Sequence, residues 1–472
     1  MKKHFSFLIF CFFSFSLLAQ TERVFFVYDN LYNTFDYQDS DSYNISFLDS
    51  KYNIRVSPRL YLNAAVNDSS ASFFALYGFK TSLQFSERLL ANLQVDEISG
   101  NYNSVINEFV DSLAVIPTYG VEETRLLYNI EYKFSKYISL DLGKSSNFLG
   151  KGYRSLLLSN SSSPYNHLRL STKFGRFKYY NLYANLVDLQ DPLAEKKKHA
   201  SIHFIDISIL DNLHFGVYEA VVWLSSDPEY NRGFDFNYLN PIIFFRPVEF
   251  SLNSPDNVLM GAYLNYDLNR VELYSQFMID DMNVSNHANQ NQDGVGGFFQ
   301  HKYAVQLGVK IKTDMINILA EYNQVQPYSY GHKIPDQNYS HDNQALAHPL
   351  GANFKELVLI TNYFKEKWKI NTKLSLVKVG LDSLDTHYGQ NIFDNDWNAS
   401  NDGAYRSYGN KNGQGVLTNL ITFNSEISYS LKNFDFFVSL YYRKKHSDLL
   451  NQNEVWYSVG LRTFPFSAFP DY

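Results

Sequence analysis

The histidine-rich segment at residues 324–356 is the first place to look for chemistry in this sequence. It contains His332, His341 and His348, and imidazole is a common zinc ligand. Their spacing, however, matches neither a helical His pair nor a zinc-ribbon pattern. We therefore expect no metal and no cofactor in this segment.

A second chemical pattern is the acidic alternation Asp394-Asn395-Asp396-Trp397-Asn398. It resembles the start of a calcium loop, but an EF-hand would need glycine at Ala399 and glutamate at Tyr405. The EF-hand is thereby excluded. An irregular ion site and a solvated acidic loop stay open as alternatives.

Catalytic signatures are missing from the sequence. It contains no nucleophile elbow, no H-E-x-x-H pair and no Ser/His/acid set whose proximity the spacing implies. We therefore expect a protein that is not an enzyme. With 41 basic and 48 acidic residues the net charge is −7, which does not favour nucleic-acid binding.

The basic run from Lys196 to His199 is expected in an external loop. There it would meet lipopolysaccharide phosphates or an acidic glycan, or it is simply a solvated run of charges. Outer-membrane lipid and lipopolysaccharide are therefore among the expected partners.

The N-terminus predicts export from the cytoplasm. Two lysines precede an apolar stretch from Phe5 to Leu18, which is too short to act as a membrane anchor. We expect cleavage near Ala19, so that residues 1–19 are a signal peptide. Cleavage would also remove Cys11, the only cysteine of the chain.

The elements that must position these residues are β-strands. Apolar and polar residues alternate from Leu126 to Phe134 and, after a short turn, from Ile138 to Leu142, as in strands that face lipid on one side and a polar lumen on the other. Seven similar pairs have short turns near residues 86–88, 175–176, 210–212, 269–270, 312–315, 365–367 and 430–433.

An unpaired first strand near Arg59–Val66 and a last strand at Val455–Phe464 raise the total to about eighteen. This predicts an all-β fold: a transmembrane outer-membrane β-barrel of about 18 antiparallel strands, with short periplasmic turns and long external loops. We assign residues 53–472 to the barrel and leave residues 20–52 as a periplasmic appendage or a plug. The predicted location is the cell outer membrane.

An apolar run from Ile242 to Phe245 is unusual for an external loop. Because exposing it to water is unfavourable, we expect the loop to bend inward and occlude the lumen. Arg246 and Glu249 would then form a structural pair or hold a polar ligand. Charges expected on the lumen face, such as Glu321 and Lys373, mix both signs and predict a polar network filling the barrel.

Three motifs resemble a known family: Gly150–Ser159, the stretch Asn240–Phe250 followed by Ser254–Asn257, and Ala347–Glu356. They are similar to those of the Wzi capsule-assembly family, especially its Bacteroidetes branch, which includes the gliding-motility protein RemB. The resemblance implies an eighteen-stranded barrel that binds or organises exported or capsular polysaccharide at the cell surface.

Glycan binding would use external aromatic rings together with polar side chains. The candidates are Tyr153, Arg154, Tyr328, Tyr330 and Trp397. One alternative is a RemB-like component of gliding or adhesion machinery, with motility or secretion proteins as partners. Another is a passive diffusion pore.

Overall fold

The computed structural model describes residues 45–48, 53–113, 123–191, 195–226, 233–241, 256–281, 301–383, 386–395 and 410–466. The predicted signal peptide at residues 1–19, the loop residues Arg246 and Glu249, and Trp397 lie outside the described residues.

Antiparallel strands dominate the described chain. They are β1 (Ile45–Leu48), β2 (Asn53–Val66), β3 (Ala71–Gln84), β4 (Leu89–Asn101), β5 (Glu123–Lys133), β6 (Ile138–Ser145), β7 (Tyr165–Phe174), β8 (Phe177–Asp188), β9 (Lys196–Leu210), β10 (Leu213–Leu224), β11 (Asn257–Asp267), β12 (Val271–Asp281), β13 (Lys302–Lys312), β14 (Ile316–Val325), β15 (Ser340–His341), β16 (Gln344–Ala345), β17 (Phe354–Lys365), β18 (Trp368–Leu381), β19 (Val416–Ser430), β20 (Asp435–His446) and β21 (Asn451–Arg462).

Strands β2–β14 and β17–β21 form a closed barrel of eighteen strands, as the sequence predicts. Closure is made by β2, which pairs with β3 along its length and with β21 from Tyr61↔Arg462 to Val66↔Tyr457. The short strand β1 pairs with the beginning of β2. β15 and β16 form a separate small hairpin. Closure leaves no open sheet edge, which a wall facing lipid requires.

The predicted alternation is confirmed in the wall. Tyr128, Ile130 and Leu142 point outward with exposed fractions of 40%, 48% and 53%, whereas Asp141 faces inward and is 5% exposed. All eight predicted short turns connect consecutive strands. In the turn at residues 175–176, Gly175 has a φ of 57°, which a two-residue hairpin turn favours.

The external ends of the strands extend further than predicted. β9 already begins at Lys196, so the basic run lies at the start of a strand and not in a loop. β2 and β3 are joined by residues 67–70 alone, and the last strand, Asn451–Arg462, begins four residues before the predicted Val455. The physical reason is that strands continue above the membrane, where an outward apolar residue is no longer required.

Among the described residues, helical structure is limited to helix α1 (Ser104–Leu113) and two single 3-10 turns, Phe236–Leu239 and Pro335–Gln337. In the part of the chain that is described, no helix is long and apolar enough to cross a membrane. A large cluster of buried apolar side chains lies inside the barrel and joins inward-facing wall residues to residues from two long external loops.

Candidate functional site

The loop between β6 and β7, residues 146–164, enters the barrel and is held there by Glu321 on β14. The backbone N–H groups of Tyr153 and Arg154 donate to the Glu321 carboxylate at 2.8 and 3.1 Å. A Cβ atom at Gly152 would lie 2.4 Å from the same carboxylate. The glycine therefore allows the loop to approach Glu321 closely.

Glu356 on β17 connects this loop to a second one, residues 326–353. Its carboxylate lies 3.5 Å from the Arg154 guanidinium and accepts a hydrogen bond from His348 Nε2 at 2.7 Å. His348 Nδ1 accepts from the Leu350 N–H, which places the ring proton on Nε2. Burial lowers the pKa of His348 although Glu356 opposes the shift, so the imidazole is neutral at pH 7. We call these two loops the plug loops.

Tyrosine hydroxyls join the two plug loops inside the barrel. The hydroxyl of Tyr330 donates to the Leu156 carbonyl at 2.7 Å, and that of Tyr339 donates to the Leu157 carbonyl at 2.9 Å. All four residues are buried. The plug loops therefore form one packed unit within the lumen.

Helix α1 also packs against inward-facing wall residues. Val105 contacts the cluster that includes Tyr441, while Glu108 accepts hydrogen bonds from Arg443 at 2.5 and 3.1 Å and from Lys445 at 2.8 Å. The hydrogen bond from Arg443, only partly offset by burial and helped by Lys445, lowers the pKa of Glu108 to about 2. The helix is thus fixed to the inner face of β20.

The plug loops bring together four of the residues predicted to contact a glycan. Their exposed fractions are 2% for Tyr153, 4% for Arg154, 4% for Tyr328 and 0% for Tyr330. The sequence predicts external rings, whereas in the structure these residues are buried inside the barrel. A glycan would reach them only if the plug loops moved, and their binding role stays a prediction.

The described stretch 233–241 precedes the loop that was predicted to occlude the lumen, and it lies against the outside of the wall. Tyr183, an outward residue of β8, donates to the Leu239 carbonyl at 3.0 Å, and Ser201 of β9 donates to the Tyr238 carbonyl at 2.9 Å. The occluding part itself lies outside the described residues. Within the described chain, the plug loops and α1 fill the lumen.

A small groove of about 80 Å³ lies at the external end of the lumen, where the two plug loops, α1 and residues 390–393 meet. Residues 343–351 of the second plug loop form its base. The aromatic rings and side-chain amides that line this mouth groove belong to Phe109, Asn343, Gln344, Gln390, Asn391 and Phe393.

A possible metal-ligand set lies beside the mouth groove. Ligand atoms of Asp382, His387 and Asp394 lie within 4.8 Å of one another, and two carboxylates with an imidazole suit a divalent transition metal. Asp382 is already hydrogen-bonded to His387 Nδ1 at 3.1 Å and to the Asn391 N–H at 3.2 Å. Burial would raise the pKa of Asp382, but these hydrogen bonds lower it. Protein groups therefore already donate hydrogen bonds to the Asp382 carboxylate.

The aromatic residues of the mouth groove are not among the site residues predicted from the sequence. For Phe109 a signal was present, because Val105, Ile106 and Phe109 have the apolar spacing of a helix within an otherwise polar loop. For Phe393 no comparable pattern exists, since the surrounding segment is irregular and rich in amides.

Comparison with known proteins defines the fold. No protein-family model and no curated protein sequence matches the chain. Its structure is similar to Wzi of Escherichia coli, described as an outer-membrane protein involved in group 1 capsule assembly and a carbohydrate-binding β-barrel. The TM-score is 0.52 at 13% sequence identity, over 87% of this chain and 84% of Wzi.

The chain has the fold of an outer-membrane β-barrel. OprD of Pseudomonas aeruginosa is also similar, with a TM-score of 0.46 and 12% identity over 90% of this chain and 98% of OprD. The similarity to Wzi confirms the predicted Wzi-like barrel as a fold. Membership of the Bacteroidetes branch with RemB stays a prediction.

Proposed function

We propose that this chain is a non-enzymatic outer-membrane protein that binds exported or capsular polysaccharide through the mouth groove. The observation that carries the proposal is the filled lumen. In the described chain, the plug loops and α1 occupy the interior, and the groove lies where they meet. The carbohydrate binding described for E. coli Wzi supports the same proposal.

The chemistry of the mouth groove suits sugars. The half-buried rings of Phe109 and Phe393 offer apolar faces for the C–H faces of a pyranose. The amides of Gln390 and Asn391 offer both donors and acceptors for hydroxyl groups. A groove this small holds only part of a sugar, which fits a long polymer lying across the surface better than an enclosed small molecule.

The filled lumen favours this function over a passive pore. An open channel requires a continuous water path, whereas the first plug loop crosses the interior and is fixed there by Glu321 and Glu356. Glu321 and Glu356, the two buried carboxylates, therefore hold the loop in place. This supports a function of the protein other than catalysis. Motility or adhesion, with protein partners, stays an alternative that rests on the resemblance to RemB alone.

The proposal is tested by titrating purified surface polysaccharide into the detergent-solubilised full chain. Phe393→Ala should weaken binding at least tenfold, equivalent to about 1.4 kcal/mol. Phe236→Ala is the matched control, because Phe236 is 79% exposed and lies in the stretch against the outer wall. It should bind as the wild type does.

Two results would contradict the proposal. One is equal affinity of the Phe393→Ala variant and the wild type, with both proteins folded by heat-modifiable migration. The other is a wild type that binds no surface polysaccharide and conducts ions like an open porin.

A further inference from the structure

A second cavity, of about 420 Å³, lies at the external ends of β6–β9. This volume falls within the range of about 300–1,000 Å³ that is typical of small-molecule sites. We call it the rim cleft. The polar side chains that define it belong to Lys144, Asn166, Asn185, Lys197, His199 and Asp342.

The rim cleft opens toward the outside of the barrel. In β8, Phe177 points outward with an exposed fraction of 51%, and the alternation of the strand places Asn185 on the same face. Asn185 pairs with Asn166 on one side and with His199 on the other, so all three share the outer face. Strand alternation likewise puts Lys197 on this face.

The height of the rim cleft matches the outer membrane interface. Asn185 follows Phe177 by eight residues. At about 3.3 Å per residue and a tilt near 40°, it stands about 20 Å above the periplasmic end of the wall. The apolar band of such barrels is about 25 Å tall, including the residues next to the turns. Asn185 therefore lies within about 5 Å of the external edge of this band, and the cleft is next to the headgroup layer.

An aromatic residue marks the same level. Tyr128 is 40% exposed on the outer face, and its hydroxyl donates to Asn166 Oδ1 at 3.1 Å. Tyrosines with an apolar ring in lipid and a wet hydroxyl are typical of barrel interfaces. Below Tyr128 the outward residue Leu142 is apolar, whereas the residues of the rim cleft above it are polar.

Residues of the second plug loop form the back of the rim cleft. His341 and Asp342 of the second plug loop reach the wall, where the Val187 N–H donates to His341 Nδ1 at 3.1 Å and the Asp342 N–H donates to the Val187 carbonyl at 3.0 Å. Lys198 turns inward, where its Nζ donates to Asn338 Oδ1 at 2.8 Å. The cleft is thus supported from inside the barrel.

We propose that the rim cleft binds the phosphorylated sugar headgroup of a glycolipid in the outer leaflet. Lys144 and Lys197 supply cations for a phosphate, while Glu195 and Asp342 accept hydrogen bonds from sugar hydroxyls or amines. The lysines thus attract the phosphate, and the carboxylates serve the hydroxyl or amine groups of the sugar. This site is separate from the mouth groove and does not depend on polysaccharide binding there.

The test uses the full chain in phosphatidylcholine nanodiscs that contain lipid A, a phosphorylated diglucosamine lipid. Native mass spectrometry measures how much lipid A stays bound. The double variant Lys144→Gln/Lys197→Gln should retain at least tenfold less than the wild type. The control, Lys136→Gln/Lys432→Gln, removes two exposed lysines from periplasmic turns and should retain as much as the wild type.

Two further arms identify the ligand. Lipid A from which the phosphates have been removed should lose binding, and soluble glucosamine 1-phosphate at the same concentration should not displace the lipid. The proposal is overturned if the double variant, folded by heat-modifiable migration, retains lipid A normally, or if dephosphorylated lipid A binds equally well. Displacement by the soluble sugar phosphate would overturn the assignment to a lipid.

Discussion

Replacing Glu321 by alanine removes the acceptor of four hydrogen bonds inside the barrel. The donors are the N–H groups of Tyr153 and Arg154, the Tyr274 hydroxyl at 2.7 Å and the Asn323 amide at 2.9 Å. A buried donor left without a partner costs about 1–3 kcal/mol, so the intact arrangement would lose roughly 4–12 kcal/mol. Part of this loss is relieved if the loop around Tyr153 moves away from β14, because water then satisfies its N–H groups. We therefore expect Glu321→Ala to loosen this part of the first plug loop and to open a water path along β14.

Single-channel conductance in planar bilayers measures this opening. Wild type should conduct poorly, and Glu321→Ala should conduct several times better. The control is Glu131→Ala, which removes another lumen-facing carboxylate, near the periplasmic end of β5. Its conductance should equal that of the wild type. If a folded Glu321→Ala protein conducts no better than the wild type, Glu321 does not hold the loop in the lumen.

Three further predictions concern the wall, the helix and the plug. Leu142→Arg, at a lipid-facing position that is 53% exposed, should cost about 2–4 kcal/mol in a reconstituted folding titration, and Glu131→Arg on the lumen face should cost less; equal losses would mean that the faces are misassigned. The bonds from Arg443 and Lys445 lower the pKa of Glu108 from 4.5 to about 2, so they stabilise the fold most above pH 4.5. That advantage over Glu108→Gln should decline as the pH falls below 4.5 and be largely lost near pH 2, and a difference in unfolding free energy that does not change with pH would disprove the pairing. Tyr330→Phe leaves the buried Leu156 carbonyl without its donor and should cost about 1–3 kcal/mol in the same titration, whereas an unchanged value would rule out this link.

The wall could be predicted from sequence because lipid outside and polar groups inside impose alternation on each strand. Ile130 and Leu142 had to be apolar, and Asp141 had to face the lumen. The external strand ends could not be predicted in the same way. Above the membrane both faces tolerate polar residues, so Lys196 to His199 resembles a loop even though it begins β9.

The plug could be predicted only in part. Glu321 was correctly placed on the lumen face, but its partner Tyr153 lies 168 positions away, and no local pattern encodes such a contact. Tyr328 and Tyr330 show the same limit, because a tyrosine in an external loop serves equally well as an exposed platform or as a buried hydrogen-bond donor. Tertiary contacts decide between the two.

The central claim is that polysaccharide binds at the mouth groove of a filled barrel. Hydroxyl-radical footprinting of the full chain, with and without purified surface polysaccharide, tests it most directly. The account predicts protection of Phe109 and Phe393, with no change at Phe236 and Leu449, which are 79% and 76% exposed away from the groove. Unprotected groove phenylalanines, or protection confined to Phe236 and Leu449, would contradict it.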